Sequence, residues 1–285
     1  MKNLILLLFL VSSVPLLSQH KVGIRAGVNF SKFSGPVEEG EDYDISNGFH
    51  FGINYTYLFN DILSFRGELV YIQRGTKQRY QDSLGTSYYI VNPLESEVNT
   101  VIFGNIDSQL EVTNAYLSIP ITAHLRLNRK FEAFGGVSFE YLIGSSGRGL
   151  VDFNNDEIFF RQSLDYSYLS DVAGGFNPNI SDVVTIMVND DIVTLPRFVG
   201  AYYTYLPSQV VGNRFDRLDA NLILGMNYFI NPGFYIGVRG EYGVADITNN
   251  DMDVSLRELD SANSFILRDD RDNSISLSLS FGFRF

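Results

Sequence analysis

The last eleven residues of the chain alternate without error. Ile275, Leu277, Leu279, Phe281, Phe283 and Phe285 are apolar, while Ser276, Ser278, Ser280, Gly282 and Arg284 between them are small or polar. A period of two belongs to a β-strand with two unlike faces, because successive side chains of an extended chain point to opposite sides. The same alternation recurs seven more times, over Val22 to Phe30, Phe49 to Phe59, Leu63 to Tyr71, Ala115 to Leu127, Phe131 to Ile143, Leu218 to Tyr228 and Phe234 to Val244. A tilted strand needs about nine to eleven residues to cross a bilayer, and these runs have that length. Beyond the N-terminus no stretch stays apolar for 18 residues, so the remainder holds no helical span.

The connections carry independent information. Asn60-Asp61, Asn128-Arg129-Lys130 and Asn231-Pro232-Gly233 are tight-turn residues in tight-turn numbers. The other four connections, Ser34 to Ser46, Gly75 to Gln109, Gly144 to Phe215 and Asp246 to Asp272, are long. Strict alternation of long and short puts all short turns on one side of an antiparallel sheet. Short periplasmic turns and long outer loops mark a transmembrane barrel. The expected fold is therefore all-β, an up-and-down barrel of eight strands. Ten strands follow if the third long loop adds a hairpin, for which Val183 to Val188 and Phe198 to Tyr205 offer themselves.

A soluble eight-stranded barrel of the lipocalin type shows the same alternation, and volume separates the two. Over forty apolar side chains, many of them Phe and Tyr, share one face, whereas the other carries mainly Gly, Ser, Asn, Thr, Arg and Glu. The interior of an eight-stranded barrel is only just wide enough for side chains. The bulky apolar face must then point outward, where lipid covers it. Aromatic residues fall at both ends of the rows: Tyr57, Phe65, Phe131 and Tyr228 at the short-turn end, Phe49, Phe51, Tyr71 and Phe139 at the other. Two such girdles suit the two interfaces of a membrane.

Residues 1–18 read as a signal peptide. Lys2 supplies the positive charge, Leu4 to Leu17 are largely apolar and too few for a spanning helix, and Ser18 is the small residue before a cut at Gln19. Residues 19–285 form the barrel domain. The expected destination is the bacterial outer membrane, after secretion across the inner membrane.

Three stretches, KVGIRAGVNFSKFSG from Lys21, AYLSIPITAHL from Ala115 and SLSLSFGFRF from Ser276, resemble the PorT-like outer-membrane β-barrel family of Gram-negative bacteria. The resemblance covers the strands of residues 21–285 but not the loops. It implies an integral outer-membrane protein, in some members associated with secretion of other proteins. Phe285, with Phe281 and Phe283, resembles the C-terminal signal read by the outer-membrane assembly machinery. An Ile-Pro pair such as Ile119-Pro120 is typical of the family, yet proline removes a ladder hydrogen bond, so a bulge is expected there.

Alternation places Arg25, Arg66, Arg126, Arg239 and Arg284 in the lumen against Glu68, Glu132, Glu140 and Glu241. Ions taken out of bulk water are tolerated mainly when paired and hydrogen-bonded. These nine residues are expected to interlock as a plug, with Glu241 paired to Arg284 of the adjoining strand. A selectivity ring in an open pore is the other reading, and it asks for a wider barrel and an excess of one sign; a narrow pore is the corresponding alternative function.

Net charge is −12, and it lies in the long loops, which carry −5, −2, −4 and −5 against +4 elsewhere. Such a chain does not suit nucleic acid. Clusters at Asp152 to Glu157, Asp251 to Asp253 and Asp269 to Asp272 hold oxygen ligands of the kind Ca²⁺ takes, although none follows the calcium-loop pattern with its central Gly. A solvated acidic surface without metal or other cofactor is the plainer expectation.

Cysteine is absent, histidine is limited to His20, His50 and His124, and no catalytic motif is present. His50 is the one candidate for a rim-site enzyme acting on lipid or peptide, with Asp44, Ser46 or a loop Asp as its neighbour. The preferred reading is a non-enzymatic barrel that meets protein partners through its acidic loops, surrounded by outer-membrane lipid.

Overall fold

The strand ladders follow the alternating rows and run well beyond them. The structure, a computed structural model, describes residues 19–91, 99–169, 172–173, 183–188, 191–199, 213–261 and 265–285; the expected signal peptide lies outside the described residues. In chain order the strands are β1 (His20–Ser34), β2 (Glu41–Leu58), β3 (Leu63–Val91), β4 (Asn99–Arg126), β5 (Phe131–Asn154), β6 (Phe159–Ser167), β7 (Val172–Ala173), β8 (Val183–Val188), β9 (Asp191–Pro196), β10 (Phe198–Val199), β11 (Leu218–Phe229), β12 (Phe234–Gly243), β13 (Val254–Leu259), β14 (Phe265–Leu267) and β15 (Asn273–Arg284).

Eight of them close a ring in the order β1–β2–β3–β4–β5–β11–β12–β15, with β15 returning to β1 through pairs from Gly23–Arg284 to Ser34–Asn273. Every pairing in the ring is antiparallel. Closure leaves no sheet edge, which the hydrocarbon region requires. Val22, Ile24, Ile53, Ile121, Leu224 and Leu279 stand exposed on the outer face, while Asn29, Thr56, Thr122, Ser138 and Ser278 at alternate positions are buried inside. The faces are oriented as the volume argument requires.

The three short turns share one device. Asn60, Asn128 and Asn231 each accept two backbone N–H bonds at the side-chain oxygen, from the residues two and three (Asn60: Ile62 and Leu63; Asn128: Lys130 and Phe131; Asn231: Gly233 and Phe234) positions on. An Asn oxygen that mimics a backbone carbonyl holds the chain in the reversal. Asn155 repeats the arrangement at the opposite end, between β5 and β6.

At that end the structure corrects the sequence reading. Most of Gly75 to Gln109, expected to be loop, is a long hairpin of β3 and β4 paired out to Val91–Asn99. Likewise β5 continues to Asn154 and adds β6 beside it. In β4 the buried positions stay even-numbered, but their chemistry changes: Ile102, Ile106, Leu110 and Val112 give way to Asn114, Ser118, Thr122 and His124. The exposed positions change the opposite way, from Asp107, Gln109 and Glu111 to Leu117, Ile119 and Ile121.

One bulge tunes this transition. Ala115 faces Gly144 and Tyr116 faces Leu142, so Ile143 is the extra residue of β5. A one-residue offset moves every later side chain to the other face. Buried positions in β5 accordingly shift from Ser138, Glu140 and Leu142 to Ser145, Val151 and Phe153.

Above this level the interior is largely apolar, with a few buried polar groups such as Gln78, Gln162 and Glu41 among them. Tyr80, Leu110, Phe153, Phe160, Tyr168 and Phe215 form its centre, joined by Phe33, Ile247 and Met252 from other parts of the rim. The rings of Phe153 and Phe160 stack at 5.1 Å, and Tyr168 meets Phe215 edge-on at 5.1 Å. The barrel thus carries a packed head over its outer mouth.

Two further expectations change. Val183–Val188 is a strand, but it pairs with β9 in a separate two-stranded sheet and adds nothing to the ring; Phe198–Val199 pairs in parallel with β6, and residues 200–205 lie outside the described residues. Pro120 carries no bulge. It faces Ser138 in unbroken register, and on its other side the β3–β4 ladder passes from Gly67–Ile121 to Val70–Ser118 without a shift, so the missing N–H falls in a gap of that ladder.

Candidate functional site in the barrel lumen

Inward positions of neighbouring strands bring guanidinium and carboxylate groups together in three tiers. Nearest the short turns, Glu132 accepts from His124 Nδ1 at 2.8 Å, Asn227 at 3.1 Å and Arg66 at 3.4 Å, and Arg284 stands 3.6 Å away. The Arg284 guanidinium lies 4.6 Å over the Phe229 ring and that of Arg66 5.5 Å over Tyr235. Such faces attract a cation while covering it from water.

In the middle tier Glu68 accepts from Arg25 Nε at 2.8 Å and from Arg239 at 3.0 Å with both oxygens. Arg239 also lies 5.3 Å over Phe134. That ring occupies space that Gly225 leaves open, since a Cβ there would fall 2.3 Å from its edge. Gly282 makes the same room for Tyr235. Beside this tier His50 bridges Asn29 at 2.6 Å and Ser280 at 2.9 Å.

In the outer tier Arg74 grips Glu140 with two bonds, of 2.7 and 2.9 Å, and reaches across the lumen to Glu241. Ser118 donates to Glu140 at 2.8 Å. Arg239 lies 3.5 Å from the second oxygen of Glu241, which links this tier to the one below. Charges balance: Arg25, Arg66, Arg74, Arg239 and Arg284 face Glu68, Glu132, Glu140, Glu241 and Asp219. Bidentate, charge-assisted bonds of this kind offset the cost of removing ions from water.

Eight of the nine residues named from alternation lie in this network, and one does not. Arg126 stands exposed beside the short turns, opposite Glu132 in register. The expected Glu241–Arg284 pair is absent, because those residues sit at opposite ends of the barrel; the partners of Glu241 are Arg74 and Arg239. Arg74 is a lumen residue that the alternating rows do not mark, because it borders the stretch expected to be loop at Gly75. Its even number, shared with Arg66 and Glu68, was the available signal, and His124 has the same parity as Thr122.

His50 does not meet Asp44 or Ser46. Asp44 pairs with Arg79 on the surface and Ser46 donates to Glu111. Phe281, Phe283 and Phe285 are exposed on the outer face at the short-turn end.

Architecture of this kind has relatives. A family model described as outer membrane protein beta-barrel domain matches residues 17–249. The chain belongs to that family. Among solved structures it is similar to Ail, the attachment invasion locus protein of Yersinia pestis, at 13% identity over 94% of this chain and 99% of that one, with a TM-score of 0.36. It is also similar to the outer membrane protein OprG of Pseudomonas aeruginosa, at 11% identity over 94% and 96%, TM-score 0.37. The outer membrane protease OmpT of Escherichia coli matches at 9% identity over 94% and 97%, TM-score 0.30. No curated protein matches the chain. As a member of this barrel family it is an integral protein of the bacterial outer membrane.

Proposed function

We propose that this outer-membrane barrel is closed and non-enzymatic, and that it acts by presenting its head to protein partners. The observation that carries the reading is the double seal: a charge-balanced network across the lumen, then an apolar core above it built from all sides of the rim. A pore lined for conduction would leave one sign of charge facing an open path. Ser280, His50 and Asn29 do have the connectivity of a nucleophile, a base and an orienting group. All three are 4% exposed or less, so substrate has no access, which supports the non-enzymatic reading.

The finer assignments rest on the sequence. The PorT-like resemblance supports a secretion-associated role; the outward Phe281, Phe283 and Phe285 suit recognition by the assembly machinery during insertion; and the apolar outer face suits lipid. The leader-like composition of residues 1–18 supports export of the chain across the inner membrane.

Planar-bilayer recording of the refolded protein tests the seal. No stable large conductance is the expected result, and steady ion-selective channels would return the pore reading. Incubation with labelled lipid and peptide, with His50→Ala as control, tests the absence of catalysis: turnover by the parent that the variant loses would reverse it.

A further inference from the structure

The last outer connection folds back on the rim at a group of three aspartates. Asp253 precedes β13, and Asp270 and Asp272 lie between β14 and β15; each offers a carboxylate oxygen, and these atoms lie within 4.8 Å of one another. Two arginines are also present. Arg214 bonds Asp253 Oδ1 at 2.8 Å, and Arg268 bonds Asp270 at 2.6 Å and Glu41 at 3.1 Å. With Glu41 counted, four carboxylates meet two guanidinium groups, a local excess of two negative charges.

A second observation is independent of this proximity. Asp253 Oδ2, Asp270 Oδ1 and Asp272 Oδ1 are all buried and accept no hydrogen bond, although Arg268 Nε lies 3.7 Å from Asp253. The side chain of Asp253 is fully covered and that of Asp272 nearly so. A buried carboxylate oxygen without a donor is costly, and it asks for a cation or a proton. Asp152, in the first acidic cluster of the sequence, is satisfied by Arg161 and shows no such deficit.

We propose that Asp253, Asp270 and Asp272 bind one divalent metal ion, Ca²⁺, which pins the β13–β14 hairpin to the start of β15. All three ligands are hard oxygens, no nitrogen or sulfur donor joins them among the described residues, and a dication cancels the local charge excess. Ca²⁺ suits an all-protein carboxylate set on an outer surface, whereas Mg²⁺ holds its waters and prefers few carboxylates. The site is separate from the lumen network and does not depend on the proposed role.

The test uses the full barrel, refolded in detergent and stripped with EGTA. Tb³⁺ serves as the probe, because Tyr43 lies within electrostatic reach of Asp272 and can sensitise its emission. The expected result is Tb³⁺ emission that Ca²⁺ displaces with a dissociation constant of about 10⁻⁴ to 10⁻³ M, the range of extracellular calcium modules, and that Mg²⁺ displaces far less well. Asp253→Asn and Asp272→Asn should each weaken binding roughly tenfold or more by removing a charged ligand. Asp251→Asn, an exposed neighbour, should leave it unchanged. Heat-modifiable migration on a gel checks that each variant retains its barrel, and Asp270→Asn, the least buried of the three, repeats the test with least risk to the fold. Absence of Tb³⁺ emission and of Ca²⁺ binding in the parent overturns the site. Binding unaffected by all three Asn substitutions, or equal displacement by Mg²⁺, does so as well.

Discussion

Below Thr113 and above it, β4 is one uninterrupted strand with the same even-numbered residues buried, yet the two halves are built on opposite chemistry. In the lower half the interior is polar and the exterior apolar: His124, Thr122 and Ser118 point in, and Ile121, Ile119 and Leu117 point out. In the upper half Val112, Leu110 and Ile106 point in while Glu111, Gln109 and Asp107 point out. The backbone is indifferent to this change, because β-pairing satisfies N–H and C=O groups equally in lipid and in water. What changes is the medium outside. Against hydrocarbon, burial of apolar groups inside gains little, and the interior must instead hold polar groups by pairing them. Against water, the ordinary hydrophobic driving force returns and the interior becomes oily.

The sharpest way to break this comparison is to remove one partner from each interior. Glu68→Ala leaves Arg25 buried without its carboxylate and Arg239 with Glu241 alone, and should destabilise the barrel by about 3 to 5 kcal/mol. Urea unfolding in lipid vesicles, followed by the heat-modifiable gel shift, reads the loss. A variant as stable as the parent would mean that water already solvates that tier.

Phe153→Ala empties a site in the head core that touches Phe160, at a cost of about 3 to 5 kcal/mol to the head. The two interiors should fail separately. Hydrogen exchange should rise in the upper parts of β4 and β5 while the gel shift of the barrel persists, and joint unfolding of both would show a single cooperative unit.

A smaller and more selective contrast comes from the outer faces. Leu279→Arg places a charge against hydrocarbon and should cost about 2 to 4 kcal/mol near the midplane. Leu150→Arg, on the exposed face of the head in register with Gln109, should shift stability by only about 0.5 kcal/mol or less. Equal effects at the two positions would place the membrane boundary above Leu150, and so dissolve the distinction between barrel and head.

These contrasts also explain which parts were legible beforehand. Eight rows, three Asn turns and the outward direction of the apolar face could be read directly, because period-two alternation with large apolar residues has one meaning when the enclosed volume is small. The upper halves of β3, β4 and β5 are not legible in the sequence for the same reason. Their exposed residues are Asp107, Gln109 and Arg79 and their buried ones are spaced by glycine and a bulge, so the stretch resembles a polar loop. Arg74 was lost with it, and through it the true partner of Glu241.

Composition and periodicity along the chain determine that strands form, how many cross the membrane, which face meets lipid and that the lumen must balance its charge, since each follows from local alternation and from volume. Which Glu meets which Arg, where polarity inverts along a strand, and that Asp253 lies beside Asp270 and Asp272 were decided only by the tertiary structure. Shear and bulges set the height of each side chain around the ring, and a single extra residue such as Ile143 turns all that follow. Electrostatic pairing depends on those heights to within an ångström or two, a scale on which residue order alone is silent.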